Sequence, residues 1–150
     1  MIARGKAGRT LVLTSSLVVW MLSLAFSAQG LSEEALTRQQ RGGGVMISLT
    51  YLNPLQKAPE GKMAFALSMN THSVDLDQYV IERLASLRND RGQEVQALSL
   101  SSPTGGGHHR FGVLLFPQTD AAGNPLVTKD TKYLQVIIRE VAQKERWVFQ

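Results

Sequence analysis

The chain has 150 residues, 43% hydrophobic and 19% charged, which suits one globular domain and excludes a disordered polyelectrolyte or a multi-span membrane protein. It has no cysteine, so disulfides, thiolate metal sites, iron–sulfur ligation, cysteine nucleophiles and a lipid-modified cysteine are excluded together. The formal charge of +4 would suit a nucleic-acid partner, but its distribution argues against one.

Arg4, Lys6 and Arg9 precede an apolar run from Leu11 to Ala28, and no further charge appears before Glu33. A basic start followed by a short apolar run is the pattern of a secretory signal. Small residues suited to cleavage stand at Ala25 and Ser27, and again at Ala28 and Gly30. The alternative is an uncleaved anchor. A spanning helix needs about 20 apolar residues, and this run lies at the short edge with serine and threonine within it. Residues 1–30 are thus expected to be a hydrophobic helix acting as signal peptide or, if uncleaved, as an anchor through residues 11–28. Either way the remaining chain faces the outer side of the cytoplasmic membrane, secreted or anchored, because positive charge stays inside. Without Arg4, Lys6 and Arg9, 13 basic residues face 12 acidic ones. These are interspersed, with no basic stripe carrying aromatic residues, so no nucleic acid is expected.

Leu31 to Gln40 has the makings of one or two helical turns, with Ser32 as N-cap. Arg41 to Gly44 (RGGG) breaks them. Residues 31–44 read as a flexible tether, and residues 45–150 as the folded domain.

From Val45 the hydrophobic period is closer to two than to 3.6. Val45, Ile47, Leu49 and Tyr51 alternate with Met46, Ser48 and Thr50, and Asn53-Pro54 ends the run. Met63, Phe65, Leu67 and Met69 alternate likewise. Tyr79 to Leu87 fits either period, with one helical turn expected near Asp77 to Val80. Asn89-Asp90-Arg91-Gly92 predicts a hairpin leading into a strand over Val95 to Leu100. Phe111 to Phe116 (FGVLLF) is apolar enough for a central strand, closed by Pro117. Tyr133 to Val141 and Arg146 to Phe149 form a last hairpin. About seven strands in roughly 105 residues predict an all-β, immunoglobulin-like β-sandwich. Trp147 and Phe149 are expected to pack in its core or at an edge.

The three histidines, His72, His108 and His109, all lie at strand boundaries. Imidazole and carboxylate suit zinc or cupric ions. His72 with His108 or His109, plus Asp75 or Asp77, supplies three to four ligands if the two stretches meet. Strand alternation lets one histidine of the pair meet His72 while its neighbour points away. The alternative is that these histidines bond loop backbones and hold one end of the sandwich together. Asp75 and Asp77 more commonly cap a turn, and Arg110 more commonly makes a rim hydrogen bond than binds an anion. Gly105-Gly106-Gly107 lacks the phosphate-loop pattern and reads as a turn. No spacing defines a nucleophile–base pair, so no catalytic residue is assigned.

The segments THSVDLDQYVIERLASLRNDRG and GGGHHRFGVLLFP resemble a group of small exported prokaryotic domains with T-H-S-x-D-L and G-G-H-H-R-x-G-x-L-x-F stretches and a final hydrophobic hairpin. The resemblance covers residues 63–150. It implies an exported β-sandwich domain and directs attention to His72, Asp75, His108, His109 and Arg110. It does not imply an activity. Where that group has an aromatic residue near Leu100 to Ser102, this chain has Ser101-Ser102-Pro103.

The expected function is a non-enzymatic binding or accessory module, a subunit or partner of a cell-envelope complex, which recognises a protein through an edge strand or apolar patch. The alternative is a zinc- or copper-binding protein using His72, His108 and His109 with Asp75 or Asp77.

Overall fold

The computed structural model describes residues 31–150. The expected signal peptide or anchor lies outside the described residues. Among them no helix is long and apolar enough to cross a membrane.

The strands are β1 (Thr37–Gly42), β2 (Val45–Tyr51), β3 (Lys62–Thr71), β4 (Ala85–Asn89), β5 (Glu94–Gln96), β6 (Ser99–Gly106), β7 (His109–Pro117), β8 (Leu134–Val141) and β9 (Lys144–Phe149). They form two antiparallel sheets, a five-stranded one in the order β1-β2-β3-β7-β6 and a four-stranded one in the order β5-β4-β8-β9. Without β1, these are the immunoglobulin arrangements A-B-E-D and C′-C-F-G. The immunoglobulin-like β-sandwich expected from the hydrophobic period is therefore the fold, with nine strands rather than about seven.

The two extra strands have physical causes. Residues 37–42 are not tether: they pair with β2 from Thr37↔Thr50 to Gly42↔Val45. Their polarity conceals a strand that works at an edge. Arg38 Nε donates to the Gln150 carbonyl at 2.6 Å, and Gln40 Nε2 donates to the Val148 carbonyl. Alternate side chains of β1 thus satisfy the carbonyls of Val148 in β9 and of Gln150 just after it, in the opposite sheet. Gly43 and Gly44, with φ of +53° and +76°, make the tight turn into β2. The helical part is only the 3₁₀ turn Glu34–Leu36, whose N-cap is Glu33 rather than the expected Ser32; Ser32 Oγ accepts from Ala35 N at 3.3 Å from one residue further out.

The expected strand over Val95 to Leu100 is two strands in different sheets. Ala97 N donates to the Ala85 carbonyl at 3.0 Å, and the next amide, Leu98 N, donates to the Leu115 carbonyl at 2.7 Å. The chain changes sheet between those two residues. The preceding Asn89–Gly92 hairpin is present as expected. Asn89 organises it, its Oδ1 accepting from the amides of Arg91 and Gln93 at 3.0 Å each. The ambiguous stretch resolves into a 3₁₀ turn at Leu76–Gln78, a helical turn at Ile81–Leu84, and β4.

The core lies between the sheets. Ile47, Leu49, Phe65, Leu67, Met69, Leu114 and Phe116 face Leu87, Val136, Ile138, Trp147 and Phe149. Burying each such side chain favours folding by about 1.5–3 kcal/mol before entropy is counted. Trp147 is fully buried and its Nε1 donates to the Val141 carbonyl at 3.1 Å, so its one polar atom is satisfied.

Candidate functional site

The T-H-S-V-D-L and G-G-G-H-H-R stretches meet at one end of the five-stranded sheet. The β3–β7 ladder ends at Asn70↔His109, and Thr71 N donates to the His108 carbonyl at 3.0 Å. Gly107, with φ of +58°, turns the chain from β6 into β7. Its carbonyl accepts from Leu76 N at 2.8 Å, and its amide donates to Asp77 Oδ2 at 2.9 Å. Asp75 Oδ1 accepts from Asp77 N at 3.0 Å. Arg110 Nη1 donates to the carbonyls of Leu76, at 3.0 Å, and Tyr79. The Gly107 amide and carbonyl, the Asp77 carboxylate and the Arg110 guanidinium thus form a clasp on the loop that follows β3. The glycine run is a strand end and a turn, and Arg110 bonds backbone carbonyls.

The five residues proposed as a metal set are divided by this arrangement. Asp75 and Asp77 accept from backbone amides, and His108 is exposed on the hairpin turn. Among the described residues no group of three or more His, Cys, Asp or Glu stands together to hold a metal ion. Two of the histidines do converge. His72 and His109 line one cleft of about 280 Å³, with Met46, Asn70 and Arg41. Strand alternation is the cause: His109 lies on the outer face with Phe111 and Val113, while Arg110 points into the sandwich toward the loop. His109 Nδ1 lies 2.8 Å from Asn70 Oδ1, and Asn70 Nδ2 donates to Ser68 Oγ at 2.9 Å.

The outer face of the five-stranded sheet continues from this cleft. The ladders place Met46, Ser48 and Thr50 beside Ala66, Ser68 and Asn70, and these beside Val113, Phe111 and His109. Ser99 and Ser101 of β6 extend the rows. Among the described strand positions of this face, the Lys and Arg residues are Lys62 and Arg41, both at its margins, and none is acidic. Phe111 stands near its middle, 41% exposed.

The opposite sheet is covered differently. Arg139 donates to Ser86 Oγ and Glu94 Oε1, both at 2.8 Å, and Arg88 donates to Gln135 Oε1 at 2.8 Å. The Ser86 hydroxyl bond, opposed next by burial and then aided by the Arg139 bond and charge and the Arg88 charge, holds the Glu94 carboxyl below its ordinary pKa. Ile137, paired with Ser86 and Val148, is fully buried within that polar network.

A second cleft, of about 410 Å³, opens at the other end of the sandwich. Leu36, Leu49, Tyr51, Phe65, Tyr133 and Phe149 are among the residues that line it, with Arg38 and Lys132. Tyr51 stacks on Phe65 at 4.9 Å, and burial raises the Tyr51 hydroxyl pKa. Sequence reading missed this cleft, because its walls come from strand ends far apart in the chain.

Two sheet edges are blunted. β6 carries a bulge between Ser101 and Thr104, with Ser102 at φ +48° next to Pro103. The carbonyls at positions 148 and 150 of β9 and the chain after it are occupied by β1 side chains. Such features oppose pairing of another chain's strand at the β6 and β9 edges.

No protein-family model matches the sequence, and no curated protein matches it. Among solved structures the chain is similar to MPT63, a secreted protein from Mycobacterium tuberculosis, with 13% identity over 83% of this chain and 99% of that one and a TM-score of 0.43.

Proposed function

We propose that the protein is an exported, non-enzymatic binding module that presents the outer face of its five-stranded sheet to another protein of the cell envelope. The observation that carries this reading is the contrast between its two outer faces. One is roofed by hydrogen-bonded arginines. The other presents Phe111, Val113, Met46 and small uncharged residues, with charge only at its margins. An uncharged face with an aromatic residue near its centre has the composition of a protein-interface core. The basic start and the apolar run over residues 11–28 support export, with membrane attachment through that run if it is uncleaved.

The test is photo-crosslinking in intact cells, with a benzophenone amino acid at Phe111 or, for comparison, at Arg146 on the opposite sheet. A discrete adduct from position 111 alone, containing a second envelope protein, is expected. Equal yields of the same products from both positions would overturn the reading.

A second reading has its own observation. His72 and His109 line one cleft, which supports a zinc- or copper-binding role for that end of the sheet. Metal titration of the exported protein and of a His72→Ala, His109→Ala variant tests it.

A further inference from the structure

We propose that the cleft holding His72 and His109 is a site for monovalent copper, in which the Met46 thioether is the third donor. This rests on the metal-binding reading above and specifies the metal.

Met46 pairs with Asn70, and Asn70 pairs with His109. The three therefore stand in one row across the outer face, and Met46 and His109 are about 9.5 Å apart, two strand spacings. The side chains of a methionine and a histidine together span that gap. His72 enters the same cleft from beyond the end of β3. The preceding Thr71 is anchored inward, its Oγ1 donating to the Gly44 carbonyl at 2.8 Å, which turns the next residue outward.

The hydrogen bonds around Asn70 prepare His109 as a ligand. Asn70 Nδ2 donates to Ser68 Oγ, so the amide oxygen is the atom facing the imidazole. That oxygen only accepts. In that arrangement His109 Nδ1 donates to the amide oxygen, and Nε2 of the neutral ring keeps its lone pair. A ring nitrogen fixed by an outer hydrogen bond while the other binds is the usual arrangement of a metal-bound histidine.

Charge and donor softness select the metal. The cleft is lined by neutral donors and one cation, Arg41, with no carboxylate among its lining residues. A divalent ion would gain no anionic ligand there and would lie near a guanidinium. Zinc sites draw on thiolate, imidazole and carboxylate. A thioether with imidazoles suits Cu(I), which brings a single positive charge.

The experiment is an anaerobic titration of the exported protein with Cu(I) against a chromophoric Cu(I) chelator, with parallel Zn(II) and Cu(II) titrations. Met46→Leu, His109→Ala and His108→Ala are compared, each first shown to be folded by its thermal transition. One equivalent of Cu(I) is expected. Met46→Leu and His109→Ala are each expected to weaken binding at least about 10-fold, and His108→Ala to leave it unchanged. Zn(II) or Cu(II) binding that depends on His109 but not on Met46, without Cu(I) competition, would overturn the Cu(I) assignment and leave the broader metal reading standing. Cu(I) binding indifferent to both Met46 and His109 would overturn this site. Folded protein that takes up none of the three ions would overturn both readings.

Discussion

Gly43 packs directly against the backbone of Ala142: a Cβ on Gly43 would stand 2.9 Å from the Ala142 carbonyl carbon and closer still to its oxygen. Gly43 belongs to the β1–β2 turn and Ala142 to the β8–β9 turn, so two hairpins from opposite sheets are seated turn on turn. Ala142 and Gln143 reach positive φ, 54° and 59°, without being glycine. The two turns need that conformation to join adjacent antiparallel strands through two residues.

Gly43→Ala is therefore expected to cost more than backbone strain alone. Gly61 is the internal standard, because it also has positive φ, +68°, but a Cβ there meets nothing within 4 Å. Gly61→Ala should lose about 1 kcal/mol through left-handed backbone strain, and Gly43→Ala about 2 kcal/mol or more, because the second hairpin must shift. Chemical denaturation of both variants checks this, and equal losses would mean that the turns do not brace one another.

Arg110 ties the loop after β3 to β7. Arg110→Met keeps much of the aliphatic volume and leaves the carbonyls of Leu76 and Tyr79 without their charged donor. A loss of about 1.5–3 kcal/mol is expected, with faster amide exchange concentrated at residues 76–80. Uniformly faster exchange across both sheets would show that the clasp has no local role.

Glu94 gives the stability a defined acid dependence. Its folded pKa lies below the ordinary glutamate value, so its stabilising contribution is complete above the unfolded pKa, near 4.3. It is lost as pH falls through the lower, folded value. Both partners in the Glu94–Arg139 pair are substantially exposed, which limits the effect at neutral pH to about 1 kcal/mol or less. Glu94→Gln should flatten the stability profile in that acid window and leave the slope at neutral pH unchanged. Denaturation midpoints measured from pH 3 to pH 7 show whether it does.

Phe111 separates binding from folding. It is exposed on the outer face, so Phe111→Lys should change stability by no more than about 0.5 kcal/mol. The same substitution should reduce crosslinking from a neighbouring position such as Val113 to the level of the opposite sheet. A melting temperature far below that of the parent protein would show instead that the phenyl ring holds the sheet together.

Much of the fold was legible because sandwich strands have a two-residue period. Residues 45–51 and 63–69 show it plainly, Asn89–Gly92 marks its turn, and 111–116 is apolar enough to lie in mid-sheet. β1 was not legible, since TRQQRG carries no apolar alternation and its side chains work by hydrogen bonding to β9. The sheet change between Ala97 and Leu98 was also hidden, because both residues are apolar on either side of the crossover. Of the site, alternation showed that no more than one member of the histidine pair can face His72, while their meeting required the pairing of β3 with β7. The use of Asp75 and Asp77 as backbone acceptors was not legible, since a carboxylate looks alike in sequence whether it holds a metal or a turn. Met46 gave no signal of its own, as a methionine between apolar strand residues reads as packing.

The sequence by itself determined the β-class, the positions of most strands, and which faces of β2 and β3 turn inward, because burial imposes its period on each strand locally. Only the tertiary structure decided which strands share a sheet, that a polar lead becomes the strap closing one edge, and that Met46, Asn70, His72 and His109 meet at one cleft. Those outcomes depend on ladder register and hairpin contacts between residues distant in the chain, and local hydrophobic pattern carries no record of them.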